Sequence, residues 1–141
     1  MSLLGYHGFN NWENHFMEDE NERDNILFGF ELEAREDDSN YVENQLSPEQ
    51  VACKLGEEFG NLFVYERDSS IGRGVEIISQ PMTMNYYMAH IDLFKKLLKM
   101  LDKMNYVSTK GNKCGLHIHF NRKALGYNSK EFETLKNKVG N

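Results

Sequence analysis

The sequence predicts an α+β domain with a mainly antiparallel sheet and helices packed on one face, and three observations carry that reading. Short runs at 27–35, 61–67, 74–80 and 114–121 are rich in strand-forming residues, and in the first and last of them apolar and polar residues alternate with the period of two of a half-buried strand. Two longer stretches, 48–59 and 83–104, space their apolar residues three and four apart, as an amphipathic helix does. The connections between these elements are uneven, unlike the regular alternation of a parallel βαβ sheet.

Taken in order, residues 1–25 form an acidic, aromatic-containing lead-in, and 26–141 form the domain proper. Between Glu13 and Asp24 the lead-in carries six acidic residues against one arginine, Arg23. Phe9, Trp12 and Phe16 recur at helical spacing, so a short helix docking an aromatic edge and a flexible acidic segment are both open. The first strand, Leu27–Arg35, puts Phe28, Phe30, Leu32 and Ala34 on one face and Gly29, Glu31, Glu33 and Arg35 on the other. After a polar loop, Ser47, Pro48 and Gln50 spell a helix start: a cap, a proline in the first turn, and a glutamine placed to reach back. Val51, Ala52, Leu55 and Phe59 supply the buried stripe, and Gly60 is the natural stop. Strands at Asn61–Arg67 and Gly74–Gln80 follow, the second ended by Pro81. Thr83 caps a long helix to about Met104, with Met88, Ile91, Phe94, Leu97, Leu98, Leu101 and Met104 as its apolar stripe. A strand at Tyr106–Thr109, a turn at Gly111-Asn112, a strand at Cys114–Asn121 and a short helix from Ser129 through Phe132, Leu135 and Val139 complete the chain.

Composition narrows the function. With 40% hydrophobic and 27% charged residues in 141, the chain has the balance of one globular domain with a real core. No apolar run approaches the roughly 18 residues that cross a bilayer and no secretory signal opens the sequence, so a cytoplasmic setting and no membrane partner are expected. A net charge of -6 opposes binding to a phosphate backbone, which selects basic surfaces, so no nucleic-acid partner is expected. Cys53 and Cys114 lack metal-ligand spacing and are expected to be ordinary thiols.

The chemistry concentrates on strands. Glu31 and Glu33 share a face, and so do His117 and His119, because each pair is two residues apart. Asp68 ends one strand, and Glu76 points away from Val75 and Ile77 in the next. If these strands are neighbours, four carboxylates and two imidazoles meet on one surface. Crowded carboxylates repel, and covering them costs hydration, so they either take up protons or hold cations. Mg²⁺ or Mn²⁺ answers that need, since both favour oxygen ligands and Mn²⁺ also accepts imidazole. Each feature has a plainer explanation: a solvated, salt-bridged face for E-x-E, surface histidines for H-x-H, a turn aspartate for Asp68. Residue pattern alone leaves both readings open.

FGFELEA, then ERDSSIGRGVEIISQPMT, then KCGLHIHFNRKALG resemble, in order, the motifs of the amidoligase family of carboxylate–amine ligases, related to glutamine synthetase and glutamate–cysteine ligase. The resemblance covers roughly Leu27 to Gly126, and its specificity lies in the three motifs together. It implies part of the glutamine synthetase/glutamate–cysteine ligase catalytic fold. It also implies an ATP-dependent enzyme that activates a small-molecule or peptide carboxylate as an acyl phosphate and joins it to an amine. By the same resemblance Glu31, Glu33, Asp68, Glu76 and His117 match metal ligands, and His119 matches a contact to the nucleotide phosphate. ATP with Mg²⁺ or Mn²⁺ would be the cofactors. Those families also use a later strand carrying a further glutamate and an arginine, which this sequence does not show before Asn141. Residues 26–141 are therefore expected to be the N-terminal part of a longer catalytic domain, with weak turnover or none alone.

Two other readings compete. A non-catalytic module would keep the fold for metal or nucleotide binding, or for self-association, since an uncovered sheet edge invites a homo-oligomer. A metal hydrolase or cupin-like oxygenase could use the H-x-H pair, but FNRKALGYN lacks the glutamate, aspartate or later histidine that such sites add.

Overall fold

The computed structural model describes residues 16–19, 21, 26–68, 73–108 and 115–120. The expected turn at Gly111-Asn112, Cys114, the helix from Ser129, and Phe9 and Trp12 of the lead-in lie outside the described residues.

The fold is α+β: one six-stranded sheet whose paired strands all run antiparallel. In chain order the elements are β1 (Leu27–Glu36), α1 (Pro48–Phe59), β2 (Phe63–Asp68), β3 (Gly74–Ser79), β4 (Met82–Thr83), α2 (Met84–Ala89), α3 (Ile91–Lys103), β5 (Tyr106–Val107) and β6 (Leu116–Phe120). β1 is the centre. Phe28, Glu31, Leu32 and Arg35 each have two cross-strand partners, one in β3 or β4 and one in β5 or β6. β2 pairs with the far side of β3.

The sheet buries one face under the helices. Phe28, Leu32, Ala34, Tyr65, Val75 and Ile77 meet Val51, Leu55 and Phe59 of α1 and Phe94, Leu97 and Leu101 of α3 in a single core. Aromatic rings fill its middle, where Phe63 and Phe94 meet edge-on at a centroid distance of 6.1 Å. α1 starts as its sequence requires: Ser47 Oγ accepts from Gln50 N–H, and Gln50 Oε1 accepts from Ser47 N–H. It stops at Gly60, whose φ of 59° lies in the left-handed region that favours glycine.

Several expected elements are redrawn. Strand β2 begins at Phe63, because residues Gly60–Leu62 form a 3₁₀ turn that carries the chain out of α1. The long helix is broken at His90, whose ψ of 26° turns its carbonyl out of the ladder. Leu93 N–H therefore bonds back three residues to His90 O, not four. The break lets Tyr86 stack on the His90 ring at 4.3 Å while Tyr87 packs on Phe28 and Phe94. Met88 and Leu98, expected in the buried stripe, are exposed. Phe16 is neither helical nor loose: it forms a parallel bridge to Met82, bonding Pro81 O and Thr83 N–H. Cys53 is a free thiol, and no described helix is long and apolar enough to cross a membrane.

Two devices hold the register of β1. Between Phe28↔Met82 and Glu31↔Ile78, two residues of β1 face three of the partner, so the chain bulges at 79–81. There Ser79 Oγ accepts from Phe30 N–H at 2.9 Å, supplying the bond that the ladder would otherwise give. At the other end Asn105, with φ 61°, bonds through Nδ2 to Asp37 O, Asn40 O and Gln45 Oε1. This clasp ties the turn after α3 to the loop after β1.

Asn105→Ala removes these bonds and places a Cβ-bearing residue without a compensating side chain at positive φ. It should lower unfolding free energy by about 1–3 kcal/mol in urea titrations, with an unchanged m-value. A second expectation concerns alkali. Burial pushes the Tyr65 hydroxyl well above its ordinary pKa of 10.0. Tyr106 moves the same way through burial, then Glu36, with Arg73 opposing. Unfolded tyrosines lose their protons near pH 10, whereas these keep them when folded, so stability should fall as pH rises above about 10. Tyr65 Oη has no hydrogen-bond partner among the described residues. Tyr65→Phe should therefore cost little at pH 7 and flatten the alkaline decline of the melting temperature.

Candidate metal centre

The register of β1 decides where each candidate side chain stands, because residues directly opposite in an antiparallel sheet share a face. Across the face away from the helices the strands form rows. One row reads Glu66, Glu76, Glu33 from β2 through β3 to β1. The next reads Val64, Ile78, Glu31, His117, ending on β6. His119 follows opposite Gly29. On the far side of the acidic row stand Asp68, Gly74, Arg35 and Val107. The expected convergence on one face therefore holds for Glu31, Glu33, Glu76, His117 and His119. Asp68 belongs to the same face by backbone register, and its side chain lies outside the described residues.

The rows also divide the set. Neighbouring strands lie about 4.8 Å apart and alternate residues along a strand about 6.8 Å apart. Glu31, His117 and His119 thus gather at the β6 end, while Glu33, Glu76 and Glu66 gather toward β2. Asp68 and His117 are separated by three strand spacings and two rows, too far to share an ion. Among the described residues, no group of three or more histidine, cysteine, aspartate or glutamate side chains is arranged to hold a metal ion. By register the candidate residues fall into two adjacent sets on this face, linked through Glu31 and Glu33.

At the β6 end, both imidazoles turn toward one carboxylate oxygen. Glu31 Oε2 lies 3.3 Å from His119 Nε2 and 3.7 Å from His117 Nδ1. The first spacing is a direct imidazole–carboxylate contact, an ion pair whenever the ring is protonated. The site is open: the side chains of His117 and His119 are 58% and 63% exposed, and that of Glu31 29%. The other group is covered, with Glu66 and Glu76 only 2% and 6% exposed.

Glu66 was missed by sequence reading. Its signal was present, since Glu66 and Asp68 repeat the two-residue spacing of Glu31 and Glu33 within β2. Arg35 was read only as strand patterning, yet it puts a half-buried guanidinium on this face, 3.5 Å from Asp38. β6 differs from expectation on its other side. Leu116, Ile118 and Phe120 point toward the helices as predicted but remain 57%, 55% and 60% exposed, because no described element covers them.

A scan against protein-family models, a search of curated proteins and a search of solved structures each return no match.

The register itself can be tested by crosslinking. In a background with Cys53 and Cys114 replaced by serine, cysteines at 31 and 117 should oxidise to a disulfide, since opposed Cα atoms of 4.5–5.5 Å suit the bond. Cysteines at 31 and 116 should not, because they point to opposite faces. Mass spectrometry after mild oxidation distinguishes the two.

Proposed function

We infer that this chain carries metal and nucleotide ligands of an ATP-dependent carboxylate–amine ligase. The observation that supports this most is the placement of Glu31, Glu33, Glu76, His117 and His119 on the sheet face away from the helices, with both imidazoles within 4 Å of one Glu31 oxygen. Glu31 with His117 would hold one Mg²⁺ or Mn²⁺, and Glu33 with Glu76 and Asp68 a second, following the two groups that the rows define. Bound there, such ions neutralise phosphate charge and bridge the polyphosphate to the protein.

The chain's own residues do three things in this reading. The carboxylates of β1 and β3 fix where cations can lie, because both are held by the ladder. His119, exposed and in contact with Glu31, would donate to a phosphate oxygen. The exposed β6 end of this face would admit a polyphosphate, since the helices lie on the opposite side. In the reaction a substrate carboxylate oxygen attacks the γ-phosphorus of ATP, forming an acyl phosphate and releasing ADP. An amine then adds to the acyl carbon, and phosphate departs with the C–O bond electrons as the amide forms. A small-molecule or peptide carboxylate and amine are the substrate classes, in a cytoplasmic setting, and the exposed β6 edge leaves room for a homo-oligomer.

Calorimetry tests the reading. Mn²⁺ and a non-hydrolysable ATP analogue with Mg²⁺ should both bind the wild-type chain. Glu31→Gln and His117→Ala should each weaken Mn²⁺ at least tenfold, about 1.4 kcal/mol. Equal affinity in wild type and both variants would remove the site. Tight Zn²⁺ binding lost in His117→Ala, with no response to the nucleotide, would instead favour an H-x-H metal hydrolase, for which the contact of both histidines to Glu31 is the supporting observation.

A further inference from the structure

The stretch 84–104 contains no proline, glycine or serine, and most of its residues are good helix formers. The helix nevertheless breaks at His90, with φ −115° and ψ 26°. No residue of the stretch accounts for a kink through its own backbone, so the cause lies in tertiary contact. α2 is poorly anchored by itself, since none of its six residues is buried.

The described residues of the lead-in meet α2 at both of its ends. Before it, Phe16 N–H donates to Pro81 O at 2.9 Å, and Phe16 O accepts from Thr83 N–H at 3.0 Å. Thr83 is the cap of α2, its Oγ1 accepting from Tyr86 N–H. At the far end Glu18 Oε2 lies 2.9 Å from His90 Nε2. Between these points the Phe16 ring meets Tyr86 at 5.3 Å, and Tyr86 stacks on His90 at 4.3 Å. The lengths agree, because six helical residues rise about 9 Å and two extended residues about 7 Å.

We propose that Phe16–Glu18 sets the break: docked, it holds α2 and α3 as two helices, and released, it lets them join through His90 into one. In the joined state Ile91, Asp92 and Leu93 N–H reach back to Tyr87, Met88 and Ala89 O, whereas Leu93 N–H now bonds His90 O. The contact of Glu18 with His90 is partly exposed and worth little alone, so it acts together with the ring row and the Phe16 backbone bonds. The choice of state bears on the sheet. Tyr87 of α2 meets Phe28 edge-on at 5.7 Å, and Phe28 meets Phe120 of β6 at 6.3 Å. Joining the helices reorients α2, and with it the ring that packs on Phe28.

The test is nuclear magnetic resonance on the full 141-residue chain. In the wild type, the Cα carbon shift of His90 should be non-helical and the Ile91 and Asp92 amides should exchange quickly, since the first turn of α3 has no intrahelical acceptors for them. Phe16→Ala combined with Glu18→Ala should move the His90 shift to the helical range and slow exchange at Ile91 and Asp92 by about fivefold or more. Unchanged shift and exchange in that double variant overturn the proposal and assign the break to Tyr87 packing on Phe28 and Phe94. Faster exchange across 84–90 overturns it too, because α2 then melts and does not join α3. Should the double variant fail to fold, Glu18→Ala decides: exchange slowed by about twofold at Ile91 and Asp92 supports the clamp, and no slowing overturns it.

Discussion

Pairing of β1 along both of its edges sets the position of every group discussed above. A strand hydrogen-bonded on two sides has no freedom to rotate, and its side chains must alternate strictly between faces. A slip of one residue would drive Glu31 and Glu33 among Phe63, Phe94 and Leu97 and expel Phe28, Phe30 and Leu32 into water. Burying two unpaired carboxylates while exposing three large apolar groups is prohibitive, so hydrophobic burial and charge solvation enforce one register. The bulge at 79–81, the Ser79 hydroxyl bond and the Asn105 clasp act on the same coordinate. The chemistry-bearing face is thus a by-product of how the core is packed.

That same geometry imposes a constraint on the acidic row. Glu66, Glu76 and Glu33 stand abreast on three adjacent strands, and the first two are almost wholly covered. Carboxylates placed directly opposite one another destabilise a sheet unless something offsets their repulsion. Glu66 and Glu76 take part in further interactions of their own, so the row is not a bare cluster of charge. The β6 group is different in kind: exposed, imidazole-rich and built around a single carboxylate. One face therefore presents a covered acidic half and an open mixed half, side by side.

How much of this could be read from the sequence follows from the length scale of each feature. Local periodicity reports which residues share a face, so Glu31 with Glu33, and His117 with His119, were legible from spacing alone. The Ser47 cap and the Gly60 stop were legible for the same reason, since both are short-range backbone bonds. The helix break at His90 was not, because no proline or glycine marks it and its partners, Tyr86 and Glu18, include one from the lead-in. Exposure of Leu116, Ile118 and Phe120 was also hidden, since alternation tells which way a side chain points and not whether anything lies there. Row membership required the cross-strand register, which depends on the bulge. For that reason spacing told which residues share a face and not which row each occupies.

Gly29 carries a last implication. It is the residue facing His119 across the ladder, and a Cβ there would come to 3.4 Å from Ser79 Oγ. With only hydrogen at that point, β1 sets no side chain directly opposite His119, and the ring contacts Glu31 of the next row. One carboxylate thus meets one imidazole straight across the ladder, at His117, and the other on the diagonal, at His119.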